Sequence, residues 1–321
     1  MRWKPLPLAL TLAVLAGSRA LIAQETPPAD PAPAAEGEKK ERPTFRPIES
    51  NTIINLPSVE VPREGTMTFF VTHRFRVPLQ DSDVYNLFSL DDGADVGLGL
   101  GYVPFKNLDV SFYRSSFSSL GAYELAGKYQ MLDGEWLKLA LRVGDDIRTA
   151  KGLADRSTFF VQAIAVLQLG SRVRLTAVPT YLTKTAGQSG YSIPGGPNGL
   201  PLFVVTPEPV YRDVFNFPVG ASIALTHSIT VHGEVVPSYR RTEFLVPFCT
   251  ATPCEQPVAR EDSPGIGWRV SVEKALLRHR FAFTVGNLQE TTVDQYLISN
   301  FGGFPRNIRI GFNLMRQWKV K

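Results

Sequence analysis

The sequence predicts an all-β protein: a closed antiparallel transmembrane β-barrel of about 12 strands, with short periplasmic turns and long extracellular loops. Three observations carry this expectation. Apolar residues recur with period two in segments of about nine to twelve residues, long enough for a tilted strand to cross a hydrocarbon core. The connections alternate short and long. A secretory signal stands at the N-terminus.

The 321 residues are 44% hydrophobic and 20% charged, with mean hydropathy −0.04 and formal charge +4. The apolar fraction excludes a disordered chain. Two cysteines are too few for a disulfide scaffold. No run of about 18 apolar residues follows the N-terminus, which excludes a helical membrane protein.

Residues 1–23 form the expected signal peptide. Arg2 and Lys4 precede the apolar run Leu8 to Ala16, and Ser18, Ala20 and Ala23 are small residues suited to cleavage. No cysteine lies there to take a lipid. Cleavage removes Arg2, Lys4 and Arg19 and lowers the charge from +4 to about +1, so the basic isoelectric point is no sign of nucleic-acid binding. Residues 24–50, rich in Pro, Ala, Glu and Lys, are expected to be a flexible periplasmic leader. The barrel is expected over 51–321.

Strands are predicted at 66–77, 94–103, 108–116, 120–131, 136–144, 158–169, 173–182, 214–225, 229–240, 265–276, 280–287 and 306–316. In the first, Met67, Phe69, Val71, Phe75 and Val77 alternate with Thr66, Thr68, Thr72, Arg74 and Arg76, and only Phe70 and His73 break the pattern. The second sets Val96, Leu98, Leu100 and Tyr102 against Asp95, Gly97, Gly99 and Gly101; the fifth sets Leu137, Leu139, Leu141 and Val143 against Lys138, Ala140 and Arg142. Phe215 to Leu225 and Ile308 to Leu314 repeat it. Tight turns follow the even strands, at 104–107, 132–135, 170–172, 226–228 and 277–279. Long loops follow the odd ones, at 78–93, 145–157, 183–213, 241–264 and 288–305. An even strand count places both termini at the short-turn, periplasmic end. Closure satisfies every backbone group in lipid and leaves no edge. Tyr102, Tyr123, Tyr129, Trp136, Tyr181, Tyr239, Trp268 and Trp318 lie near strand ends or on outer faces, as an interfacial aromatic girdle requires.

The chain also resembles a family of uncharacterised bacterial outer-membrane β-barrel proteins, a domain of unknown function of the membrane-bound β-barrel type. The residues that carry the resemblance are His73-Arg74-Phe75, Asn86-Leu87-Phe88-Ser89-Leu90-Asp91-Asp92-Gly93-Ala94, Arg114-Ser115-Ser116-Phe117, Pro179-Thr180-Tyr181, Asn287-Leu288-Gln289 and Asn307-Ile308-Arg309-Ile310-Gly311-Phe312-Asn313. Thr72 and Ser89 stand where the family pattern has glycine. The resemblance implies a membrane barrel and supplies no reaction or ligand.

Parity points Arg74, Arg76, Lys128, Lys138, Arg142, Arg174, Arg240, Arg269 and Arg309 into the lumen, with Asp95, Asp109, Glu124, Glu234 and Glu273. Such a lining fits a narrow, non-enzymatic pore for small polar or anionic solutes. It equally fits a structural or surface-binding barrel whose lumen is filled by salt bridges. A third alternative is a membrane-embedded hydrolase: His232 and Glu234 share the lumen face of strand nine, with Ser222 and Ser238 nearby. The glycines of Gly97-Leu98-Gly99-Leu100-Gly101 lie on one strand face with no helix after them, so they are small lumen residues and not a nucleotide loop. Asp91, Asp92 and Asp95 lack the further ligands of a calcium loop. Val84 to Leu90 is expected to form a helical turn. Cys249 and Cys254 are expected to form a disulfide in the oxidising periplasmic and surface environment. The Gly- and Pro-rich loop 183–213 is the expected lid, infolded constriction or surface binding loop. No metal or cofactor is expected, and the expected partners are outer-membrane lipids and, during biogenesis, the barrel-assembly machinery.

Overall fold

A computed structural model describes residues 50–85, 87–91, 93–116, 121–148, 157–186, 190–193, 202–205, 211–244, 259–298 and 307–320. The signal peptide, the leader before residue 50 and the Cys249–Cys254 pair lie outside the described residues, as does most of loop 183–213.

Among the described residues the strands are β1 (Thr66–Phe75), β2 (Ala94–Phe105), β3 (Leu108–Ser115), β4 (Ala122–Asp133), β5 (Leu137–Arg148), β6 (Ser157–Leu169), β7 (Val173–Ala177), β8 (Thr180–Ala186), β9 (Gly190–Ile193), β10 (Leu202–Val205), β11 (Tyr211–Asn216), β12 (Val219–Ala224), β13 (Ile229–Phe244), β14 (Ala259–Ala275), β15 (His279–Gly286) and β16 (Arg309–Lys319), with a short α-helix, α1 (Val293–Ile298), and a single 3-10 turn at Leu79–Asp81. Neighbours in sequence pair antiparallel around the sheet, and β1 meets β16 along Thr66↔Lys319 to Arg74↔Gly311.

Prolines shape the remaining seam. The ladder partners of β6 are β7 at one end and β8 at the other, and β12 and β11 follow them in the same order. β7 and β8 are therefore two halves of one stave, divided at Val178-Pro179, and β11 with β12 form the next, divided at Phe217-Pro218. A proline has no N–H to give the ladder. Its carbonyl still accepts: Val178 N–H donates to Pro218 O at 2.9 Å and Ala163 N–H to Pro179 O at 3.0 Å. Counted by stave, the described sheet is a closed barrel of twelve. β9 and β10 form a separate hairpin between β8 and β11.

β13 and β14 pair far beyond the expected strand ends, out to Phe244↔Ala259. There the backbone register sets Arg241 against Asp262 and Glu243 against Arg260. Hydrophobic alternation fades outside the hydrocarbon layer while backbone pairing continues, so the pattern stops before the strand does. In the loop after β1, Leu87, Phe88 and Ser89 all have φ between 49° and 80°. This left-handed run replaces the expected helical turn, which needs negative φ.

The usual distribution of polarity is inverted. Leu98, Leu100, Phe112, Leu125, Val270, Val272, Phe281 and Phe283 stand exposed on the outside, while Arg74 and Arg269 are fully buried within. An apolar belt of this extent is stable only against lipid. Gly97 and Gly99 make room inside: a Cβ on Gly99 would sit 2.0 Å from the Phe70 ring, which stacks on Tyr113 at 5.3 Å. Phe70 breaks the first strand's pattern because it packs over this glycine.

Candidate functional site

Two segments fill the lumen, one from each end. Residues 51–58, just before β1, form a tight hairpin with the bridge Thr52↔Pro57. Ile53 N–H donates to Leu56 O at 2.8 Å and Ser58 N–H to Asn51 O at 2.9 Å. Its apolar side chains cannot face lipid from inside a closed sheet, so they make a core of their own. Ile53, Ile54, Leu56 and Val59 are 6% exposed or less and pack with Phe160, Ile164, Val166, Val178, Leu182 and Val236 of the wall. Burial of four such side chains is worth about 6–12 kcal/mol as an upper estimate.

From the long-loop end, the connection between β15 and β16 folds inward. Leu288 and the α1 residues Val293, Tyr296 and Leu297 join the same core. Arg148 pairs with Asp294 at 2.7 Å, Asp294 N–H donates to Asp146, and Gln162 Nε2 donates to the Tyr296 hydroxyl at 3.1 Å. Tyr113 donates to Thr291, and Asn216 to Leu297 O. Burial raises the pKa of the Tyr296 phenol, so it stays protonated.

The charged ladder read from the sequence is where these segments are held. Lys128 donates to Ser58 O at 3.0 Å and Glu60 O at 2.6 Å. Glu234 Oε2 accepts the N–H groups of Asn55 and Leu56 at 2.9 and 3.1 Å. Arg74 Nη2 donates to Asn55 Oδ1 at 2.9 Å, while its Nη1 reaches Asn313 Oδ1 at 2.8 Å. Lys138 and Arg174 reach the Glu60 carboxylate at 3.2 and 3.4 Å. Arg269 donates to Leu288 O, and Glu124 accepts from Val293 N–H while paired with Arg142. Arg76 pairs with Asp95 at 2.9 Å, and Arg309 Nε donates to Arg76 O. Asp95 also accepts from Gln289 and takes no part in a cation loop with Asp91; Asp92 lies outside the described residues. The Arg240 side chain lies outside them as well.

His232 has a different carboxylate partner from the one expected. Glu234 turns to the hairpin, and Glu273, two residues further along the facing strand β14, lies 3.4 Å from His232 Nε2. Ser222 Oγ is 2.8 Å from His232 Nδ1. The Ser238 side chain is outside the described residues.

Sequence reasoning missed the hairpin and the polar residues that dock both plugs, Asn55, Glu60, Arg148, Gln162, Asp294 and Asn313. The signal for the hairpin was present: Ile53-Ile54-Asn55-Leu56 is apolar without alternating, directly before the first strand. Between hairpin and α1 a cavity of about 70 Å3 remains, lined by Asn51, Asp109, Tyr113, Lys128, Thr291 and Tyr296; it has room for a few waters. Among the described residues no cluster of His, Cys, Asp and Glu could hold a metal ion.

The profile of a family described as membrane bound beta barrel domain (DUF5777) matches residues 48–318. No curated protein matches the chain. Among solved structures, a NanC porin is similar at 5% identity, covering 78% of this chain and 100% of that one, with TM-score 0.46. A KdgM porin is 7% identical over 80% of this chain and 99% of its own, with TM-score 0.41. The outer membrane protein OprD from Pseudomonas aeruginosa is 12% identical over 71% and 59%, with TM-score 0.31.

Proposed function

As the chain belongs to this family of membrane-bound beta barrel domains, we propose that it is a gated conduit of the bacterial outer membrane for small polar solutes, closed at rest by its hairpin and its infolded loop. The export signal and the alternation of short turns and long loops support the outer membrane as its location, with the hairpin entering from the periplasm.

One observation carries the proposal. Several of the lumen's charges have the plugs' own backbone groups as partners: Lys128 with Ser58 and Glu60, Glu234 with Asn55 and Leu56, and Arg269 with Leu288. When the hairpin leaves, these groups face the lumen and water replaces the lost partners, so the vacated path is wettable. The basic excess along the wall favours anions among the solutes that pass. A permanently filled structural barrel is the second interpretation, favoured by the apolar core that hairpin and wall share.

Planar-bilayer recording separates the two. The wild type is expected to stay closed, with rare brief steps. Deletion of residues 50–61 is expected to give frequent conductance steps with a preference for anions. A folded deletion variant with no steps in any salt rejects the conduit in favour of the structural barrel.

A further inference from the structure

Three side chains near the short-turn end of the lumen stand in the order nucleophile, base, carboxylate, and the conduit makes no use of them. Ser222 of β12 and His232 of β13 occupy one rung, Ser222 Oγ 2.8 Å from His232 Nδ1. Glu273 of β14 lies 3.4 Å from Nε2 on the other side of the ring, and Arg280 of β15 holds the Glu273 carboxylate by an ion pair. All three members are 9% exposed or less. Glu273 faces Nε2 without a hydrogen bond to it; its negative charge favours the ring proton at Nε2, which leaves the Nδ1 lone pair for the Ser222 hydroxyl. That tautomer is the one a general base needs.

The surroundings add charge and access. β7 places Arg174 opposite Ser222 on the same rung, and its side chain is 49% exposed, so water reaches this part of the lumen. Arg174 and Arg280 flank the group with two cations. Ser271, on the rung of His232, has a buried hydroxyl with no hydrogen-bond partner.

We propose that Ser222 is the nucleophile of an acyl-transfer site at the periplasmic mouth, acting on small carboxylic esters that carry an anionic group. Ser222 Oγ bonds to the acyl carbon as its proton passes to His232 Nδ1. The carbon–oxygen bond to the leaving alcohol then breaks, and the alcohol takes the proton from Nδ1. Water repeats the sequence on the acyl-serine, releasing the carboxylic acid and restoring the hydroxyl. Glu273 is a positioning residue: it holds the ring and stabilises the imidazolium between the two transfers.

The test is covalent labelling of the full-length protein in detergent by a fluorophosphonate, which reports activated serines. One label is expected, located on Ser222 by peptide mapping and abolished in Ser222→Ala. His232→Gln is expected to slow labelling by about 100-fold or more, the scale of general-base assistance. Glu273→Gln is expected to slow it about tenfold, with partial recovery in Glu273→Asp. Ser271→Ala should label like the wild type. An unlabelled wild type, or a label that survives Ser222→Ala, overturns the site, and a Glu273→Gln rate equal to wild type overturns the relay. Ser222→Ala removes a single oxygen, so it decides the matter even where His232→Gln fails to fold. Because the readout is chemical labelling, its result is independent of whether the barrel conducts.

Discussion

Replacing Glu234 by leucine tests how the hairpin is held. Glu234 is 2% exposed, and its Oε2 accepts from Asn55 N–H at 2.9 Å and Leu56 N–H at 3.1 Å. Hydrogen bonds to a charged group are worth about 1.5–3 kcal/mol each, so leucine removes at least about 3 kcal/mol and leaves two buried donors at the hairpin tip without an acceptor. The apolar contacts of Ile53, Ile54, Leu56 and Val59, at about 6–12 kcal/mol, outweigh that loss, so the hairpin stays docked at equilibrium. What changes is the frequency of opening. With tenfold per 1.4 kcal/mol, the opening constant rises about 100-fold. Native-state hydrogen exchange reads it directly, because the amides of Ile53 and Ser58 are bonded within the hairpin and not to Glu234. Their exchange should accelerate about 100-fold while the amides of β3 and β4 stay protected. Glu234→Gln keeps one acceptor oxygen and should give a change of about tenfold. Hairpin exchange within about twofold of wild type in the leucine variant would refute the claim that this carboxylate anchors the plug.

Other outcomes are open to the same kind of check. Gly99→Val drives a side chain into the Phe70 ring, where even a Cβ would lie at 2.0 Å, and should cost about 1–3 kcal/mol in urea unfolding; Phe70→Ala should remove most of that cost, and strict additivity would reject the contact. Arg142→Met strands the buried Glu124, which also accepts from Val293 N–H. The expected loss is about 3–5 kcal/mol, read as a lower urea midpoint and earlier proteolysis within 288–298. Tyr296 has a folded-state pKa raised above the usual 10.0 by burial. Its stabilising effect is therefore complete below pH 10 and lost as pH rises through the raised value. Tyr296→Phe should flatten this alkaline limb of a stability–pH profile, and an unchanged limb would assign it to another group.

The wall was legible in the sequence because each stave carries its own signal. Met67 to Val77 or Leu137 to Val143 sort their residues by face whatever they pair with, and the spacing of the turns then counts the staves. The plugs carry no such signal. Asn55 meets Glu234 across 179 residues, and Gln162 meets Tyr296 across 134. A segment held by scattered distant partners has no period to read. The inward charges were identified by parity, but their partners were not: His232 turns to Glu273 across the strand pair, and Glu234 turns to the hairpin. Parity gives a face and leaves the height and reach of each side chain to the fold.

The position of the hairpin directly before β1 has a consequence for assembly order. Its docking partners include Asn313 of β16, which donates to Ile54 O, and Arg74 links Asn55 to Asn313, 239 residues further on. β1 and β16 are the first and last staves made, and theirs is the seam that closes the ring. The hairpin therefore cannot complete its contacts until the final stave arrives, and that stave arrives at a surface the hairpin has already begun to form. Closure and filling become one late cooperative event dominated by contacts of the longest sequence separation, the kind that set slow folding rates. The segment directly before β1 thus acts as a checkpoint on the last stave.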